Sequence, residues 1–211
     1  MSKKARLIII SAGCCCIIAA AALTLYNQWT SKKAADEADK LSASFFELLE
    51  AATPEPDDGE PGTDEFLTEN APNEAETDGE EEPASVSVGG YNVCGSISIP
   101  KIGVELAVIS DWSYTNLNIS ACRYRGAPDG QLMVMAHNYN KHFGRLNGLS
   151  QGDTVTFTGV GGAVYTYEVT VIETLAGNQL RELISGEEWD MTLFTCTYGG
   201  ENRVVARLRL V

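Results

Sequence analysis

A cysteine and an arginine near the end of the chain are the residues best suited to chemistry. Residues 192–196 read Thr-Leu-Phe-Thr-Cys, and residues 204–210 alternate apolar and charged side chains. Around a Gly-Gly turn, this pattern predicts an antiparallel hairpin. A regular hairpin places Cys196 opposite Arg203, with Cβ atoms roughly 4.5–5.5 Å apart. A neighbouring cation stabilises a thiolate, the reactive form of cysteine, and can stabilise an oxyanion formed beside it.

A second arginine and a simpler role for the cysteine must be weighed against this interpretation. Arg207 lies on the same predicted strand, but the register places it opposite Thr192, about 13 Å further along. Proximity therefore selects Arg203 as the partner of Cys196. Most free cysteines are small buried hydrophobic residues. The hairpin alone leaves both a reactive thiol and a packing residue open.

The chain has only two histidines, so imidazole catalysis must use His137 or His142. His137 follows the apolar stretch 132–136, and the exit of a strand is a place from which a rigid element can project a side chain into a groove. His142 lies in a predicted loop or helix start. A single histidine is more often structural than catalytic, so the residues by themselves do not assign either one.

Taken together, these residues resemble the sortases, the surface-anchored cysteine transpeptidases of Gram-positive bacteria. Residues 192–196 fit the TLxTC motif of that family, Arg203 has the position of its arginine, and His137 has the position of its histidine. The Phe-Gly-Arg-Leu stretch and the Gly-Asp pair that follow His137 resemble the FGxL and GD segments. The likeness covers about residues 94–211 and suggests class B or a related wall-anchoring class. Ala136 departs from the glycine found in many relatives, but alanine is also small.

The resemblance implies a mechanism and a set of partners. Cys196 would attack the carbonyl between Thr and Gly of an LPxTG-like signal at the C-terminus of a surface protein. His137 would act as general acid and base, and Arg203 would hold the substrate and stabilise the oxyanion. Thr195 would support substrate or oxyanion through its hydroxyl or backbone. The acceptor would be an amine of a cell-wall precursor or a pilin.

The sequence suggests no cofactor, no metal site and no nucleic-acid partner. It contains no phosphate-binding glycine loop, and it has no basic patch interleaved with aromatic residues. No second membrane span and no Asp-Pro-aromatic lid segment are apparent, which favours wall anchoring over pilus assembly. Two alternatives remain open: a membrane-tethered thiol peptidase, and a catalytically inactive extracellular β-barrel that serves as a binding module.

The N-terminal part of the chain predicts a membrane anchor. Residues 1–6 form a basic tail, and residues 7–26 contain no charged side chain. Twenty helical residues span roughly 30 Å, the thickness of the hydrocarbon core of a bilayer. Basic residues before the span and acidic residues after it predict a cytoplasmic N-terminus and an extracellular catalytic domain. The run is long for a cleaved signal peptide, so a single-pass anchor is the preferred interpretation.

An acidic linker is predicted over residues 27–90. Residues 31–90 hold 18 of the 29 acidic residues, whereas residues 91–211 hold 11 acidic and 9 basic ones, so most of the net charge of −14 belongs to the linker. Within it, residues 34–52 have apolar side chains at helical spacing and predict a short amphipathic helix near the membrane. Residues 53–83 have the composition of a disordered tether, which would hold the domain away from an anionic surface.

Residues 91–211 are predicted to form the catalytic domain. Many short strands separated by turns indicate a closed barrel or a sandwich, and the resemblance selects a mainly β fold, the eight-stranded sortase-type β-barrel with short helices. Strands are expected at 96–100, 104–109, 132–136, 154–158, 164–173, 192–196 and 203–211, and helical segments at 111–119, 142–149 and 178–184. The domain holds an odd number of cysteines, which leaves at least one free thiol. A disulfide between Cys94 and Cys122 is possible, but their spacing does not demand it.

Overall fold

The computed structural model describes residues 3–52, 83–185 and 188–211, with side chains from residue 12 onward. The predicted acidic tether, residues 53–83, therefore lies outside the described residues except for its last member. The described chain is mainly β, with a closed eight-stranded barrel preceded by one long helix. This confirms the predicted fold class.

The described residues contain nine strands, three α-helices and two short 3-10 turns. The strands are β1 (Val86–Val88), β2 (Tyr91–Ile99), β3 (Val104–Ile109), β4 (Ala121–Arg125), β5 (Leu132–Met135), β6 (Thr154–Gly159), β7 (Val164–Ala176), β8 (Met191–Cys196) and β9 (Asn202–Leu210). The helices are α1 (Lys3–Ala52), α2 (Tyr114–Leu117) and α3 (Leu180–Ile184), and the 3-10 turns are Pro100–Ile102 and Leu146–Gly148.

Eight of the strands close into a ring. Their order is β2, β3, β4, β5, β8, β9, β7 and β6, and β6 pairs back with β2 to close the barrel. β1 pairs only with the start of β2 and adds a short hairpin outside the ring. Most neighbours are antiparallel, but β3 with β4 and β5 with β8 run parallel. The β5–β8 pair brings together two segments separated by β6, β7 and α3, and it carries the residues discussed below.

The seam between β3 and β4 is the shortest pairing in the ring, with two pairs of residues in register. Where β3 and β4 are no longer paired, serine hydroxyl groups make hydrogen bonds to the backbone of β3. The Ser120 hydroxyl donates to the carbonyl oxygen of Ala107 at 2.6 Å, and the Ala107 amide donates to the hydroxyl oxygen of Ser42 at 2.9 Å. Because Ser42 belongs to α1, the helix provides a hydrogen bond that a longer neighbouring strand would otherwise supply.

α1 is longer than either helix that the sequence predicts. It runs without a break for 50 residues, about 75 Å at the usual rise, and joins the predicted span 7–26 to the predicted amphipathic segment. The joining residues 27–33 contain neither glycine nor proline, so nothing interrupts the helix. Among the described residues, one helix is long and apolar enough to cross a membrane, and it is α1.

The second half of α1 packs on the barrel, although it lies within the predicted linker 27–90. Ala34, Ala38, Leu41 and Phe45 are buried, with exposures of 0 to 6%, and their spacing places them on one face of the helix. β1 also lies within the predicted linker 27–90. The folded part of the protein therefore includes the second half of α1 and begins again at β1, before residue 91.

Candidate active site

Three strand ends bring the predicted residues His137, Cys196 and Arg203 into one row. Cys196 pairs with Arg203 across the antiparallel β8–β9 ladder, as the sequence predicts. On the other side of β8, Met135 is in register with Phe194, and the Ala136 amide continues this parallel ladder by donating to the Phe194 carbonyl at 3.3 Å. Two residues further along each of these two segments, the same register places His137 beside Cys196. Neighbouring strands lie about 4.8 Å apart, so Cys196 has one predicted partner on each side.

The three residues share the outer face of the barrel sheet. Side chains alternate between the two faces of a strand, and Leu193 and Ala206 belong to the interior cluster whereas Phe194 and Val205 belong to a separate outer cluster. Cys196 and Arg203 are an even number of residues away from Phe194 and Val205 respectively, so they lie on the outer face. The fold therefore presents the row to solvent instead of to the barrel interior.

Cys196 is exposed and is not part of a disulfide. The other two cysteines of the barrel, Cys94 and Cys122, are buried and also free. Burial raises the pKa of Cys94 to about 11 and that of Cys122 to about 12. These two thiols are therefore held in the neutral form, so Cys196 is the accessible thiol of the barrel; Cys14, Cys15 and Cys16 of α1 are exposed and free as well.

The ring of His137 is fixed by two contacts. Its Nε2 donates a hydrogen bond to the side-chain oxygen of Asn118 at 3.2 Å, because an amide oxygen can only accept. This arrangement leaves Nδ1 free to exchange a proton. The ring of His137 also contacts the ring of Tyr139, with 4.8 Å between ring centroids. Burial lowers the pKa of His137 from its ordinary value of 6.5, so the neutral imidazole predominates at neutral pH.

Arg203 is partly buried, and one of its nitrogens is anchored. Nη1 donates to the carbonyl oxygen of Gly177 at 2.8 Å, and the Gly177 amide donates to the Glu201 carbonyl at 2.9 Å. A Cβ at position 177 would lie 2.7 Å from that Glu201 oxygen, so the close approach requires glycine. An arginine has five N–H groups, and the anchoring contact uses one nitrogen at the end of the guanidinium. The others can meet a negatively charged oxygen.

Thr195 does not present its hydroxyl to the outer face. The residue is buried, and its hydroxyl donates to the carbonyl oxygen of Ala136 at 2.8 Å. In this structure the hydroxyl is therefore used within the fold, and the predicted support by Thr195 through its hydroxyl or backbone stays a prediction. A second bond, from the Asn138 side-chain amide to the Thr197 carbonyl at 3.3 Å, links the same two segments. Together they fix His137 beside Cys196.

Arg207 has a structural role that the sequence partly predicts. It pairs with Thr192, as expected, and is almost fully buried. Its guanidinium bonds the Glu173 carboxylate at 2.9 Å, the Thr192 hydroxyl at 3.2 Å, and two carbonyl oxygens at the C-terminal end of α3. Arg207 therefore holds α3 against the outer face, which leaves Arg203 as the arginine of the row.

Apolar and aromatic side chains cover the outer face beside Cys196. Phe194 is buried beneath Tyr124 in an edge-to-face contact, with 5.4 Å between centroids, and Tyr124 in turn contacts Trp112 at 5.9 Å. Trp112 is 44% exposed. Leu183 of α3 belongs to the same outer cluster. The residues next to the row thus form a buried apolar cluster between α3 and the segment that carries Trp112, and the rings of Tyr124 and Trp112 are its partly exposed members.

His142 lies away from the row, in the loop that follows His137. It is fully buried, and neither ring nitrogen has a hydrogen-bond partner among the described residues. The predicted short helix at 142–149 is instead a set of turns that ends in the 3-10 turn Leu146–Gly148. The loop folds back on itself at Gly144, where a Cβ would lie 2.4 Å from the Asn138 carbonyl oxygen.

An exposed thiol flanked by an imidazole and a guanidinium on the outside of a closed barrel defines a candidate cysteine acyl-transfer site. A family model described as Sortase domain matches residues 97–211, which is 115 of the 211 residues. The chain belongs to the sortase family, whose members are generally cysteine transpeptidases. A comparison with curated proteins finds none that matches.

Solved structures with the same fold are also sortases. Sortase A from Corynebacterium diphtheriae is 24% identical, with a TM-score of 0.53, and the alignment covers 57% of this chain and 61% of that one. Sortase C1 from Streptococcus agalactiae is 30% identical with a TM-score of 0.50 and coverage of 56% and 66%. For sortase A from Listeria monocytogenes the identity is 26%, the TM-score 0.51 and the coverage 56% and 87%. The matched part is thus about three fifths of the first structure's length. The predicted likeness to class B stays a prediction.

Proposed function

We propose that this protein is a membrane-anchored sortase that joins surface proteins to an amine on the cell surface. The observation that carries the proposal is the row of His137, Cys196 and Arg203 on three adjacent strand ends. The substrate would be a C-terminal LPxTG-like sorting signal, cleaved between its Thr and Gly. The partly exposed rings of Tyr124 and Trp112, next to Phe194, would contact the apolar side chain of such a signal.

In the first step, Nδ1 of neutral His137 takes the proton of the Cys196 thiol, and the sulfur attacks the carbonyl carbon of the Thr-Gly peptide bond. Free N–H groups of Arg203 stabilise the negative charge that develops on the carbonyl oxygen. As the carbon–nitrogen bond breaks, Nδ1 of His137 gives its proton to the departing amine. The products are a thioester on Cys196 and a released peptide with a new N-terminus.

In the second step, an amine of a cell-wall precursor or a pilin attacks the thioester carbon. Neutral His137 accepts the proton that this amine loses, and the sulfur of Cys196 leaves as the new amide forms. The lowered pKa of His137 suits this base role, because the neutral imidazole predominates at neutral pH. If water attacks instead, the same groups produce a thiol peptidase, so the acceptor distinguishes the two activities.

The membrane location is part of the proposal. Residues 7–26 of α1 would cross the bilayer, with the basic residues before them on the cytoplasmic side and the barrel outside the cell. An inactive binding module is less favoured, because such a protein has no need for an exposed free cysteine beside a histidine and an arginine.

The test uses the full chain in detergent micelles, because α1 packs on the barrel. Quenched peptides of the LPxTG type are incubated with and without triglycine or a lysine peptide, and products are identified by mass spectrometry. We expect a thioacyl adduct on Cys196 that passes to the added amine and is absent from Cys196→Ala. Hydrolysis that no amine diverts would establish the peptidase instead. If no peptide forms an adduct and Cys196 resists alkylation, neither activity can be maintained.

A further inference from the structure

The second half of α1 contacts the loop that carries the candidate catalytic histidine. The backbone of Ala34 lies beside the His142 ring. Ala38 belongs to the same buried cluster as Phe143, and Ser42 borders a shallow crevice together with Lys141. The three helix residues are four apart, so they lie on successive turns of one face. The helix therefore follows this loop over about two turns.

His142 is held in place by packing. Its side chain is 0% exposed, so water does not reach the ring. Neither ring nitrogen has a partner at hydrogen-bond distance among the described residues. The Ala34 backbone lies on one side of the ring. The Tyr139 ring lies on another, with 5.5 Å between centroids. Because the Ala34 backbone is one of the two groups beside the imidazole, the position of the ring depends on α1 staying against the barrel.

Tyr139 connects this buried ring to the row. Its ring contacts both histidines, with centroid distances of 4.8 Å to His137 and 5.5 Å to His142. The loop between them is tightly closed, because the amides of His142 and Gly144 both donate to the Tyr139 carbonyl at 3.0 Å. A Cβ on Gly144 would lie 2.7 Å from that oxygen. A loop with so little free space transmits a displacement of one ring to the next.

We propose that Ala34 on α1 is a positioning residue for His137, acting through His142 and Tyr139, so that the membrane anchor and the catalytic histidine form one mechanical unit. This inference rests on the proposed function. Ala34 follows the predicted span 7–26 by eight residues, about 12 Å along a helix. The docked helix would thus keep the catalytic loop close to the bilayer surface, at a height that a flexible tether could not fix.

The test compares two substitutions of alanine on the same helix, in the full chain in micelles. Ala34→Trp places a large ring at a site that is 5% exposed, and Ala51→Trp places it at an exposed site. The chain contains two histidines, so carbon-13 labelling of histidine gives two ring signals, which His142→Gln assigns.

In Ala34→Trp, we expect the His142 pKa to rise from about 4 towards 6.5 and the His137 signal to move. The turnover number kcat should fall between about 10-fold and about 100-fold, because small misplacements of catalytic groups have effects of this size. The KM should stay unchanged, since the aromatic rings that would contact the peptide are untouched. Ala51→Trp should match the wild type in every measurement.

The route from Ala34 through His142 and Tyr139 to His137 is tested by a double substitution. In a Tyr139→Leu background, adding Ala34→Trp should leave the His137 signal where Tyr139→Leu alone puts it.

If the His137 signal stays fixed in Ala34→Trp while the His142 pKa rises, the coupling between the two histidines is refuted. If neither histidine signal responds, the docking of α1 on the loop is refuted. A moved His137 signal in a protein without transpeptidase activity would support the coupling and overturn the proposed function. If Ala34→Trp loses its near-ultraviolet circular dichroism, Ser42→Ala replaces it, and an unmoved His137 signal there overturns the proposal.

Discussion

The burial of His142 makes the stability of the protein depend on pH. Burial, together with the nearby His137, lowers the pKa of His142 from 6.5 to about 4 in the folded protein. In the unfolded chain this imidazole takes up a proton as the pH falls through 6.5, whereas the folded protein does so only near pH 4. Between these values the unfolded state binds more protons, so the free energy of unfolding falls as the pH falls. The stabilising contribution is fully present above pH 6.5.

The size of the effect follows from the two pKa values. A shift of one pKa unit corresponds to about 1.4 kcal/mol, and integration over pH gives a loss of about 2 kcal/mol at pH 5 and about 3 kcal/mol at pH 4. Because the total stability of a domain is about 5–15 kcal/mol, this single side chain would remove a large share of it. The ring is completely buried, so solvent does not weaken the effect.

The substitution His142→Phe isolates this contribution, since it keeps an aromatic ring and removes both unsatisfied nitrogens. Urea unfolding of the full chain in micelles, followed by near-ultraviolet circular dichroism, should show the variant gaining about 3 kcal/mol over the wild type between pH 7 and pH 4. Carboxylates titrate in both proteins and cancel in the difference. Asn140→Phe, at an exposed position of the same loop, should follow the wild type. A stability difference between His142→Phe and wild type that is constant from pH 7 to pH 4 would refute the reasoning.

Three further outcomes are expected. Asn118→Ala removes the acceptor of the His137 Nε2 hydrogen; kcat/KM should fall about 2-fold to about 12-fold, the equivalent of one hydrogen bond, and an unchanged kcat/KM would contradict this role. Arg207→Met should lower the free energy of unfolding in urea by about 1–3 kcal/mol, because buried acceptors lose their donor; unchanged stability would show that other groups hold α3. Iodoacetamide at neutral pH should modify Cys196 and spare the two buried cysteines of β2 and β4, whose pKa values burial raises to about 11 and about 12; peptide mapping that finds either buried thiol modified would oppose this assignment.

The β8–β9 hairpin is the part of the fold that its own residues predict best. Both the Cys196–Arg203 pair and the Thr192–Arg207 pair occur in the expected register. The reason is physical, because alternation with a period of two leaves one register that buries the apolar face. The closure of eight strands has no such local signal, and the prediction of a barrel with eight strands depended on the resemblance to sortases.

Two strands had no signal that the sequence analysis could use. β4 reads Ala-Cys-Arg-Tyr-Arg, and its two charged residues do not resemble a strand at the centre of a sheet. Arg123 is nevertheless buried, and its guanidinium donates to the Ser110 carbonyl at 2.9 Å. That acceptor comes from the end of β3, so only the tertiary structure explains the residue. β1 has three residues and follows an acidic stretch, so its sequence does not distinguish it from the linker.

The docking of α1 and the contact of Asn118 with His137 lie beyond sequence reasoning for a similar reason. The spacing of Leu41 and Phe45 predicts an apolar helix face, but a pattern on one segment does not tell which element covers it. Asn118 and His137 are 19 residues apart and come from different loops. An asparagine in a loop has many possible partners, so its type carries no information about this one.

The geometry of the row explains why residues that look unrelated in the sequence lie side by side. β8 ends at Cys196, its parallel neighbour β5 leads into His137, and its antiparallel neighbour begins near Arg203. Because β5 runs parallel to β8 and β9 runs antiparallel to it, the C-terminal ends of β5 and β8 lie beside the N-terminal end of β9. A slip of one residue in β8 would move Cys196 to the barrel interior and bring Thr195 outside. The buried bond from the Thr195 hydroxyl to the Ala136 carbonyl opposes that slip. Thr195 thus holds the register of β8, and this register keeps the proposed nucleophile Cys196 on the outer face.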